Sequence, residues 1–401
     1  MSFVGSQRQT YLGLAESLRP HWRHDPRLPE RIQKTLAREK RFGSRDRRLY
    51  RELLYTTLRF LPWVESDFDT DPERAAGQIA WLAADLPATR QYRAELTADW
   101  PECPTSLADK AAHLERAPLD LLPEWFAKEC PAASTPTEVD TLHQRASLWL
   151  RLQNPRLETV TDELTQRGWS WRASGLGPEI LEVTGEADVT QTAAYQNGNF
   201  EIQDLGSQLI LDSITITPGE RWLDACAGAG GKSLQLAHLL GSNGRVLAHD
   251  IRAHALHELT SRAHRAGLKN IATTTSVAPD QLFDGVLVDA PCSGSGTWRR
   301  SPHLKWVTTH EKISAYAARQ QELLALYAGH VLAGGRLVYA TCSLTQSENE
   351  GTVAHFLATH SDFQLIPPDR NFGYRSEVYG MPILPSRHNT DGFFVASLRR
   401  A

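Results

Sequence analysis

The chain has 401 residues, and at this length two or three domains are expected, because one hydrophobic core rarely grows beyond roughly 250–300 residues. No apolar run approaches the ~20 residues of a membrane-spanning helix, and the first residues lack a signal-peptide pattern, so no membrane partner is predicted and a cytoplasmic location is expected. The formal net charge of −4 carries no overall basic signature, so nucleic acid can be bound only through local basic patches.

The five cysteines are too few to form a disulfide framework in a chain of this length. Cys226, Cys292 and Cys342 have neither CxxC spacing nor neighbouring histidines, so no metal site is predicted. Reduced and reactive thiols are the expectation.

Residues 1–140 are predicted to form a helical domain, because apolar residues such as Leu49, Leu53 and Leu54 recur at helical spacing. The window 31–51 contains nine basic and two acidic residues. This local excess favours phosphate binding, with a solvated helix face as the alternative. The residues expected to contact RNA here are Arg45, Arg47 and Arg48.

Residues 147–191 are predicted to form a small α+β segment, with strands over 148–153 and 169–174 and a helix over 157–168. The segment mixes arginines and tryptophans, a composition suited to RNA backbone contact and base stacking. Tryptophans that pack in the protein core are at least as strong an alternative. The residues concerned are Arg151, Arg156, Arg172, Trp169 and Trp171.

From residue 192 onward, strands alternate with helices, which predicts a parallel sheet covered on both faces. The expected strands are Arg221–Ala225, Arg245–His249, Gly285–Asp289 and Arg336–Ala340. The carboxyl ends of such strands share one rim, where ligands bind.

A glycine-rich loop follows the first of these strands: Gly228, Gly230 and Gly231 precede a predicted helix that opens near Lys232. The spacing fits neither the phosphate loop GxxxxGK[ST] nor the dinucleotide fingerprint GxGxxG. Asp250 ends the second strand about 20 residues further on, where an acid suits two ribose hydroxyls. The pattern predicts an adenosine ligand and leaves S-adenosylmethionine, NAD and ATP open.

Two cysteines end strands at the same predicted rim. The third strand leads into Asp289-Ala-Pro-Cys292, and the fourth into Thr341-Cys342-Ser343. A thiolate that adds to carbon 6 of cytosine makes carbon 5 nucleophilic enough to accept a methyl group, and an acid can hydrogen-bond the base. The base must be flipped out or single-stranded to be reached.

These motifs resemble those of the RNA cytosine-C5 methyltransferases of the Fmu/Sun family. The stretches concerned are DACAGAGGK, DAPCSGSGTWRRSPHLKW, YATCSLTQSENE and DGFFVASLRR. The resemblance implies a Rossmann-like, S-adenosylmethionine-dependent methyltransferase domain of α/β class over residues 192–401. RFGSRDRRLYRELLYTTLRF resembles the NusB-like all-α domain of the bacterial ribosomal-RNA members, and SLWLRLQN resembles their small RNA-binding segment.

The resemblance also implies roles for individual residues. Cys342 corresponds to the nucleophile, and Cys292 to the cysteine needed for product release. Asp289 corresponds to the acid that contacts the base. Lys232 helps to hold the base and favours the thiolate. The implied cofactor-binding residues are Ala227, Gly228, Ala229, Gly230, Gly231, Lys232, Asp250, Ser276 and Asp289. Those implied to contact RNA near the target are Arg299, Arg300 and Lys305, with Arg151 in the small segment.

The chain departs from the family pattern at several positions. Ala229 replaces the proline usual in the glycine loop, which predicts a looser loop. Ala255 stands where an arginine is usual, and Arg252 is the nearest substitute. Ser276 stands near the place of the acid that usually contacts adenine, with Asp280 a few residues later. Cofactor binding is therefore expected to be weaker or differently built.

The resemblance implies methylation of carbon 5 of a cytosine in RNA, with ribosomal RNA of the small subunit favoured and transfer RNA as the alternative. A non-catalytic RNA-binding assembly factor is a second possibility. A third is a methyltransferase that acts on DNA or a small molecule, in which Cys292 would be the nucleophile. A monomer is expected.

Overall fold

The computed structural model describes residues 2–153 and 157–401, so Arg156 of the small segment lies outside the described residues. The chain divides into two units. A helical unit comprises Met1–Arg145 and Thr297–Thr309, and a second unit comprises Ala146–Gly296 and His310–Ala401. The segment Thr297–Thr309, predicted as part of the catalytic domain, thus groups with the helices. In the part of the chain that the structure describes, no helix has the length and apolar character needed to cross a membrane.

The helical content predicted for the first unit is confirmed, whereas the likeness to NusB stays a prediction. Helix α3 (Ser44–Arg59) is amphipathic: Leu49, Leu53, Leu54 and Leu58 are buried on its inner face. The helices of this unit are α1 Phe3–Leu18, α2 Leu28–Arg38, α3 Ser44–Arg59, α4 Leu61–Val64, α5 Asp67–Thr70, α6 Pro72–Leu82, α7 Arg90–Leu96, α8 Leu107–Leu114, α9 Phe126–Glu129 and α10 Pro136–Leu142, together with α16 Leu304–Val307 from the later segment.

The second unit contains a small antiparallel sheet with the strand order β2-β3-β1-β4. Its elements are β1 Leu148–Leu152, α11 Leu157–Gln166, β2 Ser170–Ala173, β3 Ile180–Thr184, α12 Ala193–Gln196 and β4 Phe200–Ile202. Leu150 of β1 lies opposite Ile202 of β4, so this sheet continues past the predicted boundary at residue 191. Leu150, Leu181 and Phe200 contribute to a core under it.

The larger sheet has the order β10-β12-β9-β8-β5-β6-β7, with β11 paired to β12. Strands β5 to β9 are parallel, whereas β12 runs antiparallel to β9 and to β10. The strands are β5 Arg221–Asp224, β6 Arg245–His249, β7 Ile271–Thr274, β8 Phe283–Asp289, β9 Val331–Thr341, β10 Phe363–Ile366, β11 Met381–Ile383 and β12 Phe393–Arg400. The helices are α13 Leu205–Asp212, α14 Gly231–Leu240, α15 Ala253–Arg265, α17 His310–Ala328, α18 Glu350–Thr359 and α19 Pro385–His388.

Each face of this sheet carries its own hydrophobic core. Successive side chains of β8 alternate between them, because Leu287 packs in one core while Val286 and Val288 pack in the other. The α/β sheet covered on both faces and the four predicted strands are confirmed, whereas the sheet is mixed and not wholly parallel, because β9, β10 and β11 each pair antiparallel with β12.

Candidate active site

A cavity of about 900 Å³ lies at the carboxyl ends of the parallel strands. Eight of the nine predicted cofactor residues line it, from Ala227 in the loop after β5 to Asp289 at the end of β8. The ninth, Gly230, belongs to the loop but faces helix α15. The sheet topology therefore brings residues that lie up to 62 positions apart in the sequence to one site.

The glycine loop has a backbone that requires glycine at two positions. Gly228 and Gly230 have φ angles of 54° and 89°, in the left-handed region. A Cβ on Gly230 would lie 2.5 Å from Leu259 Cγ of α15. The Ala229 carbonyl accepts a hydrogen bond from Arg262 Nη1 (2.7 Å), so the loop is held from its flank although it lacks the proline.

Asp250 is held as a carboxylate by four donors from two residues. Its Oδ2 accepts from the Gly228 N–H (2.9 Å), while Arg252 donates through its N–H, Nε and Nη2. Partial burial alone would raise the pKa of Asp250, but the hydrogen bonds from Arg252 and Gly228 lower it to about 2. Arg252, the residue predicted to replace the usual arginine, therefore forms an ion pair with Asp250.

Ser276 lies at the cavity as predicted, but in a turn held by its main chain. Thr274 Oγ1 donates to the Ser276 carbonyl (2.6 Å) and accepts from the Ser276 N–H (3.1 Å). Asp280, the later acid, is exposed and is not among the residues that line the cavity.

Lys232 and Asp289 form an ion pair with 2.7 Å between Nζ and Oδ2. Lys232 is 8% exposed, whereas the Asp289 side chain is 30% exposed, so Asp289 presents the accessible part of the pair. Asp224, buried behind them, accepts from Ser233 Oγ (2.6 Å). Burial and, more weakly, the Asp289 charge raise the pKa of Asp224 to about 7. Asp224 lies in the first predicted strand, Arg221–Ala225, and no role was predicted for it.

Cys292 and Cys342 lie side by side: their Sγ atoms are 3.3 Å apart, and no disulfide joins them. The hydrogen bond with Cys342, burial and the charge of Cys342 raise the pKa of Cys292 well above its usual value. The raised pKa favours the protonated form of Cys292, whereas the geometry allows either sulfur to donate this hydrogen bond.

Comparison with known proteins gives the family. A family model described as 16S rRNA methyltransferase RsmB/F matches residues 212–399. The probable ribosomal RNA small subunit methyltransferase B of Synechocystis sp. is 34% identical over 297 residues, 70% of this chain and 66% of that protein. The ribosomal RNA small subunit methyltransferase B of Klebsiella pneumoniae is 31% identical over 312 residues, 73% of this chain and 68% of that protein. The chain belongs to the RsmB/F family.

The match spans just under two thirds of the length of two RsmB/F relatives, at 66% of both the Synechocystis protein and its Bacillus subtilis counterpart. Among solved structures, a methyltransferase homolog from Pyrococcus horikoshii has a TM-score of 0.60 at 25% identity. That similarity covers 73% of this chain and 98% of the other.

Membership in the RsmB/F family confirms S-adenosylmethionine as the expected cofactor. The cavity fits it, because the anionic Asp250 lines the cavity and two ribose hydroxyls would replace the Nε and Nη2 donors of Arg252, while the glycine loop leaves the backbone approachable. A Cβ on Gly231 would meet nothing within 4 Å, which leaves open space at the start of α14.

Lys305 and Arg299, two of the residues predicted to contact RNA in the segment after Cys292, have buried side chains and cannot reach RNA. Lys305 is 2% exposed and donates to His143 Nε2 (2.8 Å) and to the Arg59 carbonyl (3.0 Å). Arg299 is also 2% exposed and donates to the Arg145 carbonyl (2.9 Å). Burial lowers the pKa of Lys305. Both cations therefore hold the helical unit together, while Arg300 between them is exposed.

Arg151 is likewise buried, at 3% exposure, and donates through Nε to Gln203 Oε1 (2.7 Å). Its predicted contact with RNA is corrected to a structural role within the second unit. On α3, Arg45 and Arg48 are exposed as expected, whereas Arg47 is half-buried and donates to the Leu36 carbonyl (3.3 Å).

Proposed function

We propose that this protein transfers a methyl group from S-adenosylmethionine to carbon 5 of a cytosine in RNA, with ribosomal RNA of the small subunit as the substrate. The observation that carries the proposal is the 3.3 Å separation of Cys292 Sγ and Cys342 Sγ beyond adjacent parallel strands, β8 and β9. Asp289, at the end of β8, reaches the cofactor cavity. The names of the relatives support the RNA class.

In this proposal Cys342 attacks carbon 6 of the cytosine. The new C6–S bond pushes the electrons of the C5–C6 double bond toward carbon 5, which then accepts the methyl group that bound S-adenosylmethionine supplies. Asp289 accepts a hydrogen bond from the N4 amino group and so orients the base. Lys232, 2.7 Å from Asp289, keeps that carboxylate in place and sets positive charge beside a ring that becomes electron-rich.

Release of the product falls to Cys292. The hydrogen bond with Cys342 and the Cys342 charge both raise the pKa of Cys292, and both disappear when Cys342 becomes bonded to carbon 6. The pKa of Cys292 then falls, and its proton leaves to solvent. The Cys292 thiolate takes the proton from carbon 5, the C–H electrons restore the C5–C6 double bond, and the Cys342 thiolate departs.

RNA binding is assigned to exposed basic side chains. Arg45 and Arg48 lie near the start of α3, and Arg47 offers a partly exposed third cation. Arg300 is exposed in the segment after Cys292. These arginines replace Arg299, Lys305 and Arg151 as the proposed phosphate contacts.

The test is methyl transfer from labelled S-adenosylmethionine to RNA, with 16S ribosomal RNA, 23S ribosomal RNA and a transfer RNA pool assayed side by side. Bisulfite sequencing of the 16S product is expected to give one newly protected cytosine. Incorporation into transfer RNA alone would replace the proposed substrate, and incorporation into none of the three would contradict the proposed activity.

A further inference from the structure

Glu348 is a fully buried carboxylate, at 0% exposure, in the turn between β9 and α18. It lies six residues after the proposed nucleophile, and sequence reasoning assigned it no role. Its Oε1 accepts from the Ser293 N–H (2.8 Å) and from Gln320 Nε2 (3.0 Å). Its Oε2 accepts from three hydroxyls: Ser293 Oγ at 2.5 Å, Ser343 Oγ at 2.7 Å and Thr345 Oγ1 at 2.8 Å.

Two of these partners are the chain neighbours of the two cysteines. Ser293 follows Cys292, and Ser343 follows Cys342, so one carboxylate binds the residue after each sulfur. Ser295 adds a second link between the same turns, because its Oγ lies 3.0 Å from Ser343 Oγ and accepts from the Leu344 N–H at 2.8 Å. Hydrogen bonds to a charged group are stronger than those between neutral groups, so together they fix the turns firmly.

The charge of Glu348 is not explained by an ion pair, because within residues 2–153 and 157–401 it has no cation at salt-bridge distance. A buried carboxylate without a cation is costly, and an apolar side chain would fill the same space at lower cost. Five donors converge on the Glu348 carboxylate. Their number indicates that the turns after Cys292 and Cys342 require a hydrogen-bond acceptor at this position.

We propose that Glu348 is a positioning residue, which holds the turns after Cys292 and Cys342 against each other so that the two sulfurs stay at hydrogen-bonding distance. This role rests on the proposed function, in which the thiol of one cysteine must face the thiolate of the other. The negative charge of Glu348 is also one of the smaller causes that raise the pKa of Cys292, after the hydrogen bond with Cys342, burial and the Cys342 charge. Glu348 itself touches neither base nor cofactor in this scheme.

The test compares Glu348→Gln with Glu350→Gln in the full-length protein. Glu350 is a matched control: it lies two residues further on, is half-buried, and in the described part of the chain has no hydrogen bond to either cysteine turn. Diamide converts two neighbouring thiols to a disulfide and takes up their two electrons and two protons. The rate of the Cys292–Cys342 cross-link, followed by peptide mass spectrometry, therefore reports how often the two sulfurs meet.

Dividing this rate by the rate at which iodoacetamide alkylates Cys342 removes the effect of any change in thiolate fraction. We expect Glu348→Gln to lower the ratio about tenfold, the equivalent of one lost charge-assisted hydrogen bond. The rate of covalent adduct formation with RNA should fall in parallel. Affinity for S-adenosylmethionine should stay within about twofold, because Glu348 does not line the cofactor cavity. Glu350→Gln should behave as wild type in all three measurements.

A Glu348→Gln protein with an unchanged cross-linking ratio, or with a lowered ratio but wild-type adduct formation, would overturn the positioning role. The role would also be overturned if Glu348→Gln lowered the affinity for S-adenosylmethionine by the same factor as the cross-linking ratio, because Glu348 would then support the fold as a whole and not the two sulfurs in particular. Should Glu348→Gln not fold, Ser343→Ala removes one of the five donors and should lower the ratio about threefold. If the wild-type protein methylates no cytosine, the proposed function fails, yet the cross-linking ratio still decides whether Glu348 positions the sulfurs.

Discussion

Substitution of Gly230 by alanine tests the geometry of the cofactor loop. The φ angle of 89° costs an alanine roughly 1 kcal/mol relative to glycine. The new methyl group would also lie 2.5 Å from Leu259 Cγ and 2.9 Å from Leu234 Cδ1, and such overpacking typically costs about 1–3 kcal/mol. The free energy of unfolding should therefore fall by about 2–4 kcal/mol.

Gly231→Ala is the matched control, because Gly231 is the first residue of α14, has no positive φ, and a Cβ there meets nothing within 4 Å. Alanine favours helix, so this variant should be as stable as wild type or slightly more stable. Urea unfolding followed by tryptophan fluorescence and by circular dichroism gives both free energies. A Gly230→Ala protein within about 0.5 kcal/mol of wild type would refute the described loop conformation.

Three further predictions follow from the same contacts. Asp250→Ala should weaken S-adenosylmethionine binding about 100-fold, as measured by calorimetry, because two charge-assisted hydrogen bonds to the ribose are lost. Charge reversal of Arg45 and Arg48 should weaken RNA binding and flatten its dependence on salt concentration, with cofactor affinity unchanged; an unaltered salt titration would assign them to a solvated face. Cys342→Ala removes the largest cause of the raised pKa of Cys292, so that pKa should fall and iodoacetamide should alkylate Cys292 faster at pH 8 than in the wild-type protein.

The larger sheet and its rim were predictable because their signals are local. Each strand is a short apolar run that ends on a polar residue, as at Asp224 and Asp289, and parallel strands must share a rim. The proximity of Cys292 and Cys342 follows from that rule alone, although their 3.3 Å separation does not.

The misassigned cations show what sequence cannot supply. Lys305 lies beside Trp306 in a basic stretch that suggests RNA contact, yet its partners are the Arg59 carbonyl and His143, both far away in the sequence. In the sequence, Glu348 looks like an ordinary acid before a helix. Its hydrogen bonds with Ser293 join residues 55 positions apart, so the local sequence gives no sign of them. A buried cation and a surface cation have the same local sequence pattern, and only packing distinguishes them.

The most direct test of the proposed chemistry is the covalent complex between the protein and its RNA. With unlabelled S-adenosylmethionine and 16S ribosomal RNA, Cys292→Ala should accumulate an adduct that survives denaturing electrophoresis, because attack proceeds while release fails. Cys342→Ala should form no adduct and transfer no methyl group. An adduct that persists in Cys342→Ala and is lost in Cys292→Ala would contradict the assignment of attack to Cys342.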